Sequence, residues 1–373
     1  MSQVTITQLT IDLLRCYLTG EPVNFSLTET QCAEVCVLAA KHDIAHLIGE
    51  VLPQPYAPFV KEKKKAIYRY VQQDYERQRI YALFEAERIP FMPLKGSVIS
   101  ALYAEAWHRT GCDIDILVRE SDLERAEAAL REQLNFSFHK KSAHDISLFS
   151  STGVHLELHY AFDEQEVSVG EVWDTAQPLT DGAMQQTMNA EYFVFHHIAH
   201  MAKHFRDGGC GLRPFVDLWL INRGMDYDRV KLRALLEKCG LGRFAEVLYQ
   251  LSDWWFAGAA PTPLLESTAS YILPAGSYGS VENHVAIGQL QQKSKANYFR
   301  SRLFLSRAAL EYPYPKLKEH GWMLPFYQVH RWYKLLADGK WNHITRELNA
   351  NRVMSQDYRD HVGTLLKELQ LIH

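Results

Sequence analysis

The sequence lacks any run of eighteen apolar residues, which excludes a hydrophobic membrane-spanning helix. Its start, Met1 to Thr5, has neither the basic residues nor the apolar stretch of a signal peptide. Cysteine is sparse: Cys16, Cys32, Cys36, Cys112, Cys210 and Cys239 stand apart, with no Cys-x-x-Cys pair. That spacing excludes a disulfide frame and reads as buried thiols in a reducing compartment. The expectation is a cytoplasmic protein with no membrane partner. Neither sign of charge dominates: 44 acidic residues against 40 basic ones give a net value of −4, which weighs against a dedicated nucleic-acid binder. The His-Glu-x-x-His pattern of zinc peptidases is absent, as are tandem repeats and low-complexity tracts.

What is there is ordinary in composition, at 47% hydrophobic and 23% charged over 373 residues, enough for two or three domains. Residues 7 to 51 carry apolar stripes of two or three short helices, and Thr28-Glu-Thr30 precedes the second as a cap. A Pro-containing break from Leu52 to Pro58 leads into one long helix from Phe59 to Glu87. Its run Lys61 to Lys65 is a basic patch or a solvated helix start. Beyond Arg119 the pattern predicts a helix to Leu134, then strands at 136–139, 146–149 and 154–159, with Ser150 to Gly153 as a hairpin turn. From Asn189 onward the chain reads as helical, and the basic and aromatic residues from His330 to Lys334 stack nucleobases or pack between helices. The domain expectation is a helical region at 1–90 packing on a core at 91–165, followed by a helical domain at 166–373.

Chemistry concentrates between Pro93 and Val118. Phe91 to Leu94 is a short apolar run that stops at Lys95-Gly96-Ser97, as a buried strand entering a turn would, with a helix expected from Val98 to Tyr103. Cys112 to Val118 alternates with a period of two, so Asp113 and Asp115 share one strand face and Ile114, Ile116 and Val118 the other. Two carboxylates about 7 Å apart repel each other, and a divalent cation between them would remove the repulsion. The competing reading is a solvated edge. A Gly-Ser turn opening a helix suits a phosphate, and Lys95 and Arg109 add positive charge beside it. His155-Leu-Glu157-Leu-His159 repeats the alternation, with its three polar groups on one face.

Gly96-Ser97 followed by Asp113-Ile-Asp115 resembles the signature of the polymerase-beta nucleotidyltransferase superfamily. The fuller run Leu94-Lys95-Gly96, Leu102-Tyr103, Arg109 and Asp113 to Val118 resembles the uncharacterised nucleotidyltransferase family within it. The resemblance implies an α+β fold: a polymerase-beta-like core with a small mixed sheet, flanked by N-terminal helices and a larger C-terminal helical region. It implies Asp113 and Asp115 holding two Mg²⁺ ions (or Mn²⁺), with Glu157 as the third carboxylate. Glu in place of the superfamily's Asp is a departure, and a rim carboxylate paired with Arg or Lys is the alternative. Lys95, Gly96, Ser97 and Arg109 would bind a nucleoside triphosphate, expected to be ATP.

His196, His200 and His204 fall four apart on one face of the predicted 189–205 helix. They pack in an interface, line the cleft, or (a zinc-hydrolase reading) bind metal. His159 is expected beside Glu157 as its hydrogen-bond partner. Arg213 and Asp217, four apart, form a local ion pair or face the cleft. The expected activity is Mg²⁺-dependent transfer of a nucleoside monophosphate to a hydroxyl on an acceptor, with release of pyrophosphate. That acceptor is open: small molecule, peptide, protein or RNA. The alternative is a non-catalytic nucleotide-binding regulator.

Overall fold

A computed structural model describes residues 5–162, 169–311, 313–339 and 341–372 of the chain. The domain boundary expected at 165/166 lies outside these residues. By packing, the chain divides into two units, one formed by Met1–Ala202 with Gly211–Leu265 and the other by Lys203–Cys210 with Glu266–His373.

The first unit begins with helices α1 (Ile6–Thr19), α2 (Glu29–Lys41), α3 (Ala45–Val51) and the 30-residue α4 (Ala57–Ala86). Thr28 caps α2 in a full capping box, its side chain receiving the Gln31 amide while the Gln31 side chain receives the Thr28 amide. Next come β1 (Phe91–Pro93), a single helical turn α5 (Gly96–Ile99), β2 (Asp113–Val118), α6 (Leu123–Leu134), β3 (Ser137–Lys141), β4 (Asp145–Phe149) and β5 (His155–His159). The strands form one mixed sheet in the order β1-β2-β5-β4-β3. Only β2 and β5 run parallel; the other pairs are antiparallel. The expected α+β core with a small mixed sheet is what the chain forms.

Alternation along the strands decides what each face does. Ile114, Ile116, Val118, Ile146, Leu148, Leu156 and Leu158 are buried in one cluster with Ile80, Leu83 and Phe84 of α4 and Leu123, Ala126 and Leu130 of α6. The intervening residues put Asp113, Asp115, Ser147, His155, Glu157 and His159 on the opposite face. Pro93 is tolerated because β1 lies at the sheet's edge, where a missing N–H costs no ladder bond. The far edge, β3, is exposed and carries Lys140 and Lys141, which discourage further strand pairing.

Helices α7 (Val169–Thr175), α8 (Ala190–Asp207) and α9 (Arg213–Gly224) follow, with a two-stranded ribbon, Gln177–Pro178 against Gln186–Thr187, that the pattern did not signal. Ribbon segments so short have no readable periodicity. In the second unit, Glu347 is buried and accepts from Arg302 Nη2 at 2.9 Å, and Asn283 Nδ2 donates to the carbonyls of Gly208 and Tyr271. Arg331 Nη1 and Trp332 Nε1 both donate to the Leu303 carbonyl, at 3.1 and 2.9 Å. This is the packing role, not base stacking, for those two members of the basic and aromatic run.

Candidate active site

Strand register builds the site. Asp113 and Asp115 sit two apart on β2, and the parallel pairing sets Asp115 across from Glu157 and Asp113 across from His155. Ligand atoms of Asp113, His155 and Glu157 lie within 4.8 Å of one another, as do those of Asp115, Glu157 and His159. Glu157 belongs to both groups. Each aspartate thus stands within that spacing of Glu157 and of one histidine, and the carboxylates offer the hard oxygen donors that Mg²⁺ or Mn²⁺ takes, so the residues fit the implied cation.

Lys95 enters from β1. The Leu94 amide donates to the Asp115 carbonyl at 3.0 Å, extending the β1–β2 ladder by one residue. That register delivers the next side chain to Asp115, and Lys95 Nζ lies 2.7 Å from Asp115 Oδ1. His159 Nε2 reaches the same oxygen at 2.9 Å and stands 3.5 Å from Glu157 Oε2. The Lys95 backbone has φ 44° and ψ −117°, a conformation that non-glycine residues rarely adopt and that costs of order 1–3 kcal/mol.

These contacts split the two aspartates electrostatically. Burial and the neighbouring Asp115 charge push Asp113 up to about 6. Burial would raise Asp115 too, but the Lys95 ammonium and the His159 hydrogen bond hold it well below the usual carboxylate range. The His159 hydrogen bond likewise lowers Glu157. His159 is depressed by burial, yet its bonds to Asp115 and Glu157 outweigh that and raise it, favouring the protonated ring. His155 is oriented by Ser147 Oγ, 2.5 Å from its Nε2, and stacks on Phe149. A metal-binding histidine is commonly steered through its second nitrogen in this way.

The Gly96-Ser97 turn departs from expectation. The helix it opens is four residues long, followed by a 3₁₀ turn at Ser100–Leu102, so little helix dipole gathers there. The Ser97 amide is bonded to the Leu94 carbonyl at 3.3 Å. Gly96 is required by close approach: a Cβ there would stand 2.6 Å from Arg109 Nη1. A small cleft of about 30 Å³ is lined here by Gly96, Ser97, Arg109 and Asp113, with Asp74 and Arg77 from α4. The sequence pattern places Asp74 on the mixed face of the long helix and marks neither of these two α4 residues for the site. Their signal was polar residues three apart on the helix face that meets the turn, legible only once α4 is known to pass it.

Arg109 is not free in that cleft. Asp217 on α9 grips it through Nε at 3.2 Å and Nη2 at 2.9 Å, and Tyr103 Oη donates to the same carboxylate at 2.7 Å. Burial alone would raise Asp217, but Arg109 holds it below the usual range. The expected Arg213–Asp217 pair does not form. Asp217 faces inward to Arg109, while Arg213 pairs with Asp43, which also accepts from Thr110 Oγ1 at 2.7 Å. Helix α9 therefore braces the segment before β2 directly, through Asp217 on Arg109, and indirectly, through Arg213 on Asp43, which holds Thr110.

The histidine helix is placed differently from the zinc reading. His196 and His197 are buried, His196 against the Phe162 ring and His197 with Nε2 3.0 Å from the Pro214 carbonyl. The His200 ring lies 6.3 Å from that of His196, and His204 falls in the second unit. Among the described residues, no group able to hold a metal includes any of them.

Residues 30–257, more than half of the chain, match the family described as uncharacterised nucleotidyltransferase. No curated protein matches. Among solved structures, the chain is similar to that titled "Solution Structure of Antibiotic-Resistance Factor ANT(2'')-Ia Reveals Substrate-Regulated Conformation Dynamics". Identity is 17% and the TM-score 0.36, over 48% of this chain and 97% of that one. No described helix is long and apolar enough to cross a membrane.

Proposed function

The chain belongs to the uncharacterised nucleotidyltransferase family, and on that premise we propose that it transfers a nucleoside monophosphate from a nucleoside triphosphate, ATP by expectation, to an acceptor hydroxyl. The observation that carries this reading is the convergence of Asp113, Asp115 and Glu157 on one sheet face, beside a cleft floored by Gly96 and Ser97. These carboxylates would hold Mg²⁺ or Mn²⁺, which when bound offsets phosphate charge and acidifies the acceptor hydroxyl.

The chain's own groups have separable tasks. Gly96, Ser97 and Arg109 line the cleft proposed to receive the triphosphate, with Arg109 held in place by Asp217. Glu157, 24% exposed, keeps Oε2 toward His159 and can take the acceptor proton at Oε1. The acceptor oxygen bonds to the α-phosphorus as the α–β bridging bond breaks, and pyrophosphate leaves. No acceptor class is preferred, and a cytoplasmic setting is proposed on the sequence alone.

The test supplies purified protein with each α-³²P-labelled triphosphate, Mg²⁺ and fractionated host lysate. Label should enter one acceptor fraction with the wild type and fall by ~10²–10³-fold with Asp113→Ala, a loss on the scale of removing a principal electrostatic element. Equal labelling by a folded Asp113→Ala variant would sink the reading. The non-catalytic alternative draws on one observation, the Lys95 ammonium seated on Asp115. Calorimetric ATP binding that never yields pyrophosphate in the presence of any lysate fraction would favour it.

A further inference from the structure

Two groups of side chains at the site can ligate a cation, and they are not alike. In the group formed by Asp115, Glu157 and His159, one carboxylate oxygen is already occupied: the Lys95 ammonium at 2.7 Å and His159 Nε2 at 2.9 Å both converge on Asp115 Oδ1. In the group formed by Asp113, His155 and Glu157, no ammonium or guanidinium pairs with the carboxylates among the described residues, and Ser147 turns the His155 ring by its Nε2, leaving Nδ1 as the other ring nitrogen.

We infer that Lys95 is a built-in cation that replaces one of the two metal ions implied by the superfamily resemblance, so that the site takes a single divalent ion at Asp113, Glu157 and His155. This rests on the proposed function and specifies its metal requirement. Three features make Lys95 a fixture, not a placeholder that a second ion displaces. Its side chain is only 16% exposed, so withdrawing it from Asp115 would strand an ammonium among buried groups. Its backbone is pinned on both sides, by the Leu94 amide on the Asp115 carbonyl and by the Val98 and Ile99 amides on its own carbonyl at 3.1 and 3.0 Å. The strained φ of 44° persists only where surrounding structure over-determines it, and here those bonds do so.

The test counts bound Mn²⁺ by electron paramagnetic resonance on the full chain, complexed one to one with α,β-methylene-ATP, a triphosphate that cannot transfer its nucleotide. Wild type should bind one ion, Lys95→Met two, and Asp115→Asn still one. Circular dichroism checks that each variant is folded. Should Lys95→Met fail to fold, the wild-type and Asp115→Asn counts decide. Two ions on the wild type, one on a folded Lys95→Met, or none on Asp115→Asn would overturn the inference while leaving the proposed transfer standing. No ion on the wild type would overturn both.

Discussion

Arg109 shows how much of this site is held by single residues whose role is invisible locally. Its guanidinium is buried, bound twice by Asp217 and backed by Tyr103. Removing one member of such a pair leaves an uncompensated interior charge, which costs about 3–5 kcal/mol, whereas removing both costs far less than the sum. Asp217→Ala should therefore lower stability by about that amount in urea denaturation, and Arg109→Ala added to it should cost little more. Strictly additive losses would show that the pair is not coupled. The same reasoning distinguishes Asp113 from Asp115: among the described residues one carboxylate has no ammonium or guanidinium against it, and the other has a lysine and a histidine on a single oxygen.

At the level of elements, the turn between β1 and α5 matters more than the helix it opens. One helical turn cannot gather a useful dipole, so the reason for Gly96 is steric: it lets Arg109 pass against the backbone. Gly96→Ala should cost about 1–3 kcal/mol, the range for overpacking, because Asp217 prevents Arg109 from yielding. In an Arg109→Ala background the same substitution should be nearly neutral in chemical denaturation. An unchanged cost in both backgrounds would refute the contact. Strand β2 and helix α2 were legible in advance, one from strict alternation and the other from its capping residues. Arg213 and Asp217 were read as partners because they are four apart; the loops each one faces, around Asp43 and Arg109, were not readable from α9 alone.

Across the first unit as a whole, buried histidines set the response to acid. Burial lowers His46 and His197, takes His108 down to about 4 and His196 to about 3. Between pH 6.5 and 4 the unfolded chain then binds more protons at these four positions than the folded one, so stability falls as pH falls. Asp113, raised to about 6, acts in the opposite direction below that pH, but it is one group against four. His159, raised, loses its contribution only as pH climbs above 6.5. The first unit's thermal midpoint should drop between pH 7 and 5, and a constant or rising midpoint would contradict this account. By itself the sequence determined what depends on short spacing: the helices, the two-residue alternation that puts Asp113 and Asp115 on one face, and the turn at Gly96. Only the tertiary structure decided which distant groups meet them. Parallel register set Glu157 across from Asp115, an edge strand carried Lys95 onto that same carboxylate, and α9 brought Asp217 to Arg109 from 108 residues away. The physical reason is that periodicity specifies the side of an element a residue occupies, whereas pairing across elements depends on register and packing that no local window contains.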